Sequence, residues 1–364
     1  MTASLPAATA IFGAGMMGTA IAAAHLRCGC PVVLYDSVDA ALQSAPQRIA
    51  DELRLQDVFL PDALLTCTGN VAEAVRCPVM IETIPEKLKA KQKLYQKITA
   101  ERSPDAFLFS NTSTISISLL AQHLPMEWQH RFCGLHFFHP VRQRSLVEII
   151  AGKQTESATL DAAQEHARRI DKRSIVVGDA PGFLVNRMLN PYLSSALALL
   201  EHGVDLGRIE RVATQFGMKM GPFRIMDEIG LDVVLHAGWV LHKAFPDRTP
   251  QSPILLQLID QGKLGRKTGH GFMLYTRQAS WEGEGVPDPV FASTDTVLAE
   301  VGISEAEIVY RLFVPMYEEA VRCFEEGIIV DLSSADMASI EALGFPAERG
   351  GVVTWGRAHK SGGR

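Results

Sequence analysis

Three glycines near the start of the chain have the spacing of a phosphate-binding turn. The stretch ATAIFGAGMMG places Gly13, Gly15 and Gly18 between an apolar, strand-like run and the helix-forming run MMGTAIAAAHL. Here the first glycine permits a tight turn, the second lets the backbone approach a phosphate, and the third lets the helix pack closely on the strand. Backbone N–H groups at Met16 and Met17, with the positive end of the helix dipole, would face the anion. The pattern predicts a dinucleotide pyrophosphate site.

An acidic residue follows at the distance that such a site requires. A second apolar run, VVLYD, ends at Asp36, eighteen residues after Gly18. A carboxylate at the end of the second strand can accept hydrogen bonds from the adenosine 2′ and 3′ hydroxyls, and it repels a 2′-phosphate. The sequence therefore predicts NAD rather than NADP as the cofactor.

The composition is that of an ordinary globular protein and argues against several functions. The chain has 364 residues, enough for two or three domains, and a net charge of −6. Since there is no basic block, we expect no nucleic-acid partner. The six cysteines have neither CxxC pairs nor metal-ligand spacing, so we expect reduced thiols and no metal. Polar residues interrupt the apolar segment 182–200, and the first residues lack the basic region of a signal peptide. We therefore expect a cytoplasmic protein with no membrane partner.

Apolar runs alternate with helical stretches through the first half of the chain. The strand candidates are IFG, VVLYD, VMIET, FLFSN, GLHFF, LVEII and SIVVGD. The helical stretches between them are 16–28, 86–100, 116–123 and 157–171. This alternation is typical of βαβ units and a mostly parallel sheet. We predict a Rossmann-type, doubly wound α/β domain over residues 1–180.

The pattern changes at the segment DAPGFLVNR, after which the chain is predominantly helical. Helices are predicted at 182–202, 205–216, 224–243 and 252–261. The following segment is rich in Gly, Pro and acidic residues, which is typical of a linker. We predict an all-α domain over 181–280, a linker over 281–303 and a further helical segment over 304–364.

The last helical segment repeats features of the first. Pro191 and Glu201 recur 124 positions later as Pro315 and Glu325, and each copy continues through an Asp-Leu pair into a second helix. The spacing indicates that 304–364 is a partial second copy of the helical domain, although chance helical similarity is the alternative.

Polar side chains gather where the predicted strands end. Ser113 ends the segment SNTS, His136 begins HFFHP, Glu148 lies in the next strand, and Asn186 lies in PGFLVNR at the domain junction. Ligands of an open α/β sheet bind outside the carboxyl ends of its strands. A nicotinamide enzyme that oxidises a secondary alcohol needs a base, a group that holds the base, and donors to the substrate oxygen. These segments offer such groups.

Seven motifs in one order resemble the L-3-hydroxyacyl-CoA dehydrogenase family: GAGMMG, SNTSTISIS, GLHFFHPV, LVEII, PGFLVNRM, MGPFRIMDEIGLD and GRKTGHGF. The stretches EEAVRCFEEGII and EALGFPAERGG are similar to the duplicated C-terminal module of bacterial multifunctional fatty-acid oxidation proteins. The resemblance implies a Rossmann domain followed by a 6-phosphogluconate-dehydrogenase-like helical domain, duplicated. It also implies reversible, NAD-dependent oxidation of an L-3-hydroxyacyl-CoA, as in β-oxidation.

The resemblance implies a role for each polar candidate. The family's catalytic histidine falls on His136, which would be the general base, and its partner glutamate falls on Glu148. Ser113 matches the serine between the substrate oxygen and the nicotinamide, where it would also contact the cofactor. Asn186 matches the asparagine that contacts the substrate near the base; Tyr310 takes its place in the second copy.

Two further residues match cofactor contacts of the family, with an ordinary alternative. Glu86 and Lys91 lie in PEKLKAKQ, after the strand IET, and they would also fit the solvated face of an amphipathic helix. The family motif usually has asparagine where this chain has His139, so contacts near the nicotinamide are expected to differ.

The substrate side departs further from the family pattern. Arg142, Gln143 and Arg144 replace smaller or apolar residues and would add anion contacts or reshape the acyl pocket. Where relatives supply a serine and lysines to coenzyme A, the best-aligned positions are Glu52 and Phe59. An acyl-CoA is therefore the first expectation for the substrate, with an acyl-ACP or a free hydroxy acid as the alternative.

Two questions about the molecule as a whole stay open. A non-catalytic NAD-binding protein is a third possibility, which the presence of all four catalytic candidates disfavours. A monomer or a homodimer is expected, and the second helical copy would cover in cis a surface that single-copy relatives cover by dimerising.

Overall fold

A computed structural model describes residues 7–102, 105–250, 252–275, 285–291 and 302–360. The chain divides into two compact units, residues 1–180 and 181–364. Among the described residues, none of the helices combines the length and hydropathy needed to cross a membrane.

The first unit is built on an eight-stranded sheet. Its strands are β1 Thr9–Phe12, β2 Val32–Tyr35, β3 Leu65–Thr68, β4 Val79–Glu82, β5 Phe107–Ser110, β6 Phe132–Phe137, β7 Leu146–Ala151 and β8 Arg173–Gly178, in the order β3-β2-β1-β4-β5-β6-β7-β8. β1 to β6 are parallel, whereas β7 is antiparallel to β6 and parallel to β8. The order of the first six strands is that of a doubly wound dinucleotide-binding sheet. The predicted fold class is confirmed.

Seven helices among the described residues belong to this sheet unit: α1 Met16–Arg27, α2 Asp39–Arg54, α3 Val71–Ala74, α4 Leu88–Glu101, α5 Ile117–Ala121, α6 Met126–Gln129 and α7 Ser157–Arg169. α1 is buried from Gly18 to Leu26, because its alanines and Ile21 pack closely on the strands. The sequence patterns missed β3 and α2. β3 is an edge strand with exposed Thr66 and Cys67, and α2 buries only Ala45, Ile49 and Leu53.

The second unit is mainly helical. Its helices are α8 Val185–Glu201, α9 Leu206–Phe216, α10 Pro222–Ile229, α11 Leu231–Ala244, α12 Pro253–Asp260, α13 Glu305–Glu325, α14 Leu332–Glu341 and α15 Val352–Lys360. The single helix predicted over 224–243 is wrong, because Gly230 adopts a φ of 96° and separates α10 from α11. Two short strands, β9 Met273–Leu274 and β10 Val286–Pro287, pair antiparallel. β10 falls within the predicted linker, of which 281–284 and 292–301 lie outside the described residues.

α8 and α13 form a central pair in the second unit. Arg187 of α8 is only 1 % exposed and is ion-paired with Glu319 and Glu326 of α13 and its C-terminal end. A buried guanidinium reduces the stability of the folded protein unless carboxylates compensate its charge. These ion pairs therefore fix how the two helices lie against each other.

The helices that follow α8 and α13 share a hydrogen-bond pattern. Asp205 accepts from an N–H in the first turn of α9 at 2.7 Å, and Asp331 does the same for α14 at 2.9 Å. Glu210 of α9 accepts from the first turn of α10 at 2.7 Å, and Asp336 of α14 accepts from the first turn of α15 at 2.6 Å. Each carboxylate satisfies helix N–H groups that have no partner within the helix.

Candidate active site

The glycine turn between β1 and α1 has the steric properties that its sequence predicts. Gly13 adopts a φ of 114°, which favours glycine, and a Cβ on Gly18 would lie 1.8 Å from the Gly13 carbonyl oxygen. Around Gly15, by contrast, a Cβ would meet no described atom within 4 Å. The turn therefore leaves open space at the glycine that a phosphate must approach. These residues fit a dinucleotide.

The start of α1 is suited to an anion. Gly15 is its N-cap, no described side chain caps it, and its first turn, which includes Met16 and Met17, carries no acidic residue. The N–H groups of this turn therefore keep their hydrogen-bonding capacity for an anion. Asp36 is fixed to the same turn, since its two oxygens accept from the N–H groups of Ala14 at 2.7 Å and Val38 at 2.9 Å. Its contact with the ribose stays a prediction.

His136 and Glu148 face each other across the antiparallel strands β6 and β7. The distance from His136 Nδ1 to Glu148 Oε2 is 2.8 Å, and the two side chains are 5 % and 0 % exposed. The other ring nitrogen, Nε2, lies 3.1 Å from Ser113 Oγ. Because a carboxylate only accepts, Nδ1 carries the proton in this arrangement and Nε2 offers a lone pair.

The loop that carries Ser113 is held by Glu86. Glu86 Oε1 accepts from the hydroxyl of Thr112 at 2.5 Å and from the N–H groups of Ser113 at 3.0 Å and Thr114 at 2.9 Å. Burial alone would raise the pKa of Glu86, but the Lys91 ammonium, 3.2 Å from Oε2, and these hydrogen bonds hold it below its ordinary value. The position of Ser113 beside His136 therefore depends on an ionised Glu86.

Lys91 joins Glu86 to a second carboxylate that the sequence analysis missed. Glu82, at the end of β4, is fully buried, and its oxygens lie 2.7 and 2.9 Å from Lys91 Nζ. Tyr95 and Ser110 donate to the same carboxylate. Since Lys91 is 1 % exposed, the alternative of a solvated helix face is wrong for it. The signal that could have found Glu82 is an acidic residue that ends an apolar strand nine residues before a lysine.

Two of the departures from the family pattern meet where the loop between β6 and β7 lies against α2. Arg142 NH1 lies 3.2 Å from Glu52 of α2, so the two unusual residues form an ion pair. Phe59 is 88 % exposed in the segment that follows α2. Neighbouring protein atoms desolvate His139 and lower its pKa, and Arg142 and Arg144 lower it further against the attraction of Glu52.

Asn186 lies in the first turn of α8, in the second unit. Two successive residues before this helix, Gly182 and Phe183, have φ values of 76° and 51°. Positive φ is strained for phenylalanine, and such strain is concentrated at functional segments. The role of Asn186 toward the substrate stays a prediction.

The two units also match known protein families. Residues 8–180 match the family described as "3-hydroxyacyl-CoA dehydrogenase, NAD binding domain", and residues 182–275 match "3-hydroxyacyl-CoA dehydrogenase, C-terminal domain". The protein is thus an NAD-dependent dehydrogenase, as its glycine turn and sheet predict. The chain belongs to the 3-hydroxyacyl-CoA dehydrogenase family. The predicted cofactor and family are confirmed; the C-terminal match ends before the suggested second copy.

Three solved structures illustrate the range of similar proteins. A (S)-3-hydroxybutyryl-CoA dehydrogenase from Ralstonia eutropha is 32% identical, with a TM-score of 0.69, over 74% of this chain and 99% of that one. The dehydrogenase part of multifunctional enzyme 1 from C. elegans is 25% identical, with a TM-score of 0.64, over 93% of this chain and 78% of that one. A 5-formyl-3-hydroxy-2-methylpyridine 4-carboxylic acid 5-dehydrogenase, an NAD⁺-dependent dismutase, is 29% identical, with a TM-score of 0.61, over 74% and 91%.

Proposed function

We propose that this dehydrogenase oxidises an L-3-hydroxyacyl-CoA reversibly to the 3-oxoacyl-CoA, with His136 as general base. The observation that carries the proposal is the placement of His136, whose Nδ1 lies 2.8 Å from Glu148 and whose Nε2 lies 3.1 Å from Ser113. In an imidazole held in this way, the carboxylate fixes one nitrogen and the other can accept and return a proton.

In the oxidation, His136 Nε2 accepts the proton of the substrate C3 hydroxyl. Glu148 fixes the tautomer that leaves Nε2 basic, and its negative charge stabilises the imidazolium that forms. NAD, when bound at the glycine turn, supplies the acceptor for the hydride that leaves C3. The C3–O bond becomes a carbonyl, so one proton and one hydride have left the alcohol. In the reverse direction the imidazolium returns the proton.

Ser113 and Asn186 are assigned to the substrate oxygen. Both offer uncharged donors, which suit an oxygen that gains negative charge during reaction. The backbone N–H of Ser113 donates to Glu86 rather than to the substrate, so the residue that carries this hydroxyl is held in place before binding. Glu86 and Lys91 remain proposed cofactor contacts in addition to their contacts with each other.

A free hydroxy acid is the second candidate substrate. α2 contains no lysine that could contact a coenzyme A phosphate, and the name of one 29%-identical neighbour gives a carboxylic acid rather than a thioester. An acyl-ACP would also avoid the need for such a lysine.

We also propose that 181–280 and 304–364 are two copies of one helical module, with 281–303 as the linker. The shared pattern of Asp205 with Asp331, and of Glu210 with Asp336, supports the duplication. A monomer is then the expected state, because the second copy would occupy the surface that a partner covers in single-copy relatives; a homodimer through the helical unit, measured by light scattering, would contradict this.

Steady-state formation of NADH with three substrates tests the proposed reaction. 3-Hydroxybutyryl-CoA, the matching acyl-ACP and free 3-hydroxybutyrate are compared at saturating NAD. We expect the highest kcat/KM with the CoA ester and none with its D-enantiomer. A higher kcat/KM for the acyl-ACP or for the free acid would contradict CoA as the carrier of the acyl group. Binding of NADH without oxidation of any of the three would favour a non-catalytic protein.

A further inference from the structure

Arg144 lies on the short loop that joins the two strands of the His136–Glu148 pair. This loop runs from 138 to 145, between β6 and β7, and β7 begins at Leu146. Because β6 and β7 are antiparallel, the carboxyl end of β6 and the amino end of β7 lie at the same end of the sheet. Ser113 lies at this end as well, because it follows β5, which is parallel to β6. Arg144 therefore lies at the end of the sheet where the cofactor and substrate are expected.

The backbone continues the direction of β7 through Arg144. The residue is extended, with φ −105° and ψ 115°, and Arg173 N donates to the Ser145 carbonyl at 2.8 Å, as the ladder with β8 requires. Residues two apart in an extended strand face the same side. Arg144, Leu146 and Glu148 are thus on one face, with Arg144 and Glu148 about 13 Å apart along the strand.

Two anchors hold the loop in this conformation. Lys172 Nζ donates to the carbonyl oxygens of Val141 at 2.7 Å and Arg144 at 2.6 Å, and Arg142 is ion-paired with Glu52. Burial, with a smaller contribution from the charge of Arg27, lowers the pKa of Lys172 to about 8. The charge of Arg142 is therefore compensated, and the backbone that presents Arg144 is fixed.

Arg144 itself has no counter-ion among the residues that the structure describes. Within the described part of the chain its guanidinium has no hydrogen-bond or ion-pair partner, and its Nε is buried. Desolvation lowers its pKa, and no carboxylate in the described ranges offsets that effect. Leaving a half-buried charge without a partner costs stability, so such a group is retained where a ligand supplies the partner. A guanidinium offers paired donors that match the oxygens of a carboxylate or phosphate.

We propose that Arg144 binds an anionic group of the substrate, beyond the reacting C3–O bond. The shared chemistry is an oxyanion with at least two oxygens. Its source is either a carboxylate at the far end of the acyl chain or a phosphate of the carrier. This proposal rests on the proposed function for its position in the substrate, while the anion site itself rests on the unpaired guanidinium.

Substrates that differ in one anionic group separate the two sources. KM and kcat are measured for 3-hydroxybutyryl-CoA, for 3-hydroxyadipyl-CoA, which ends in a carboxylate, and for the N-acetylcysteamine thioester of 3-hydroxybutyrate, which has no phosphate. The variants are Arg144→Met and Arg144→Lys. Arg54→Met is the control, because it removes one exposed positive charge from α2.

If the acyl chain carries the anion, Arg144→Met raises KM about tenfold or more for 3-hydroxyadipyl-CoA only. If the carrier supplies the anion, Arg144→Met raises KM for both CoA esters and not for the N-acetylcysteamine ester. Arg144→Lys recovers part of the loss because the charge remains. KM values within twofold of wild type for all three substrates, or an equal change for all three, would overturn the proposal.

Binding without turnover distinguishes failure of the anion site from failure of the proposed function. The protein's intrinsic fluorescence is titrated with free CoA and with adipate, for the wild type and Arg144→Met. Weaker binding of either anion to the variant supports the site even if the wild type oxidises no thioester. Equal binding of both anions to wild type and variant, in a wild type that oxidises none of the substrates, counts against Arg144.

Discussion

Replacing Glu86 with glutamine, which keeps the shape of a proposed cofactor-contacting side chain, is expected to slow turnover more than it weakens cofactor binding. Glu86 Oε1 accepts from the backbone N–H groups of Ser113 and Thr114 at 3.0 and 2.9 Å, and Ser113 Oγ lies 3.1 Å from the base. The amide of Gln has nearly the same shape as the carboxylate but no charge. The substitution therefore weakens the support of the loop without creating a cavity.

The size of the effect follows from these bonds. Hydrogen bonds to a charged group contribute about 1.5–3 kcal/mol and neutral ones about 0.5–1.5 kcal/mol, so each of the two loses about 1 kcal/mol. The sum of about 2 kcal/mol corresponds to roughly a thirtyfold decrease in kcat if it is expressed fully in the transition state. Because the Glu86 side chain is 29 % exposed, solvent replaces part of the loss, and roughly tenfold is a realistic lower value.

The assay compares kcat, the KM of the substrate, the Kd of NADH and the melting temperature. Glu101→Gln is the matched control, since Glu101 is exposed at the end of α4, the helix that begins just after Glu86. We expect kcat to fall in Glu86→Gln alone, with the Kd of NADH within about threefold of wild type. A kcat within twofold of wild type refutes the positioning role. A weakened Kd at constant kcat would leave the proposed cofactor contact as the role of Glu86 and remove its positioning role.

Three other outcomes are expected. His136→Ala should lower kcat at least about a hundredfold, the usual effect of a positioned base, with NADH affinity unchanged; a larger loss in His139→Ala would move the base to that residue. Asp36→Asn keeps an acceptor for the Ala14 N–H but removes the charge that repels a 2′-phosphate, so the ratio of kcat/KM for NAD to that for NADP should fall at least about tenfold; an unchanged ratio contradicts the assignment. Burial lowers the pKa of His25 to about 4, and its Nε2 lies 2.9 Å from His166 Nε2. Below about pH 6.5 the unfolded chain therefore binds protons that the folded chain does not bind. The stability that this pair contributes is present above pH 6.5 and is lost as the pH falls toward 4, by about 3 kcal/mol for His25. Urea unfolding at pH 7.5 and at pH 5 should show a smaller decrease in the free energy of unfolding for His25→Asn than for wild type. Equal decreases would rule the pair out as the cause.

The sheet could be predicted because most of its strands are buried on both faces and are therefore continuous apolar runs. β3 could not, since an edge strand needs no such run and its Thr66 and Cys67 are exposed. The pairing of His136 with Glu148 was predicted from the family motifs. Its geometry follows from an antiparallel register, which places residues twelve apart directly opposite each other.

The surroundings of the pair were harder to predict from the sequence. Glu86 reaches Ser113 only because β4 and β5 are neighbours in the sheet, and consecutive strands need not be neighbours, as β3 and β4 show. Lys91 fits the pattern of a solvated helix, and only the position of Glu82 at the buried end of β4 shows that its charge has partners inside. The motifs predicted which residue types take part. Which residues hold them in place depends on neighbours that only the three-dimensional structure shows.

The ion pairs of Arg187 bear on where the chain can be shortened. The matched C-terminal family domain ends at residue 275, but Glu319 and Glu326, which neutralise this arginine, come from later in the chain. A fragment trimmed to the matched boundary would keep the cation, one residue from Asn186, and discard both of its anions. We therefore expect a stable fragment to extend at least to Glu326, just after α13, so that the C-terminal helices form one compact unit with α8 rather than a dispensable appendage.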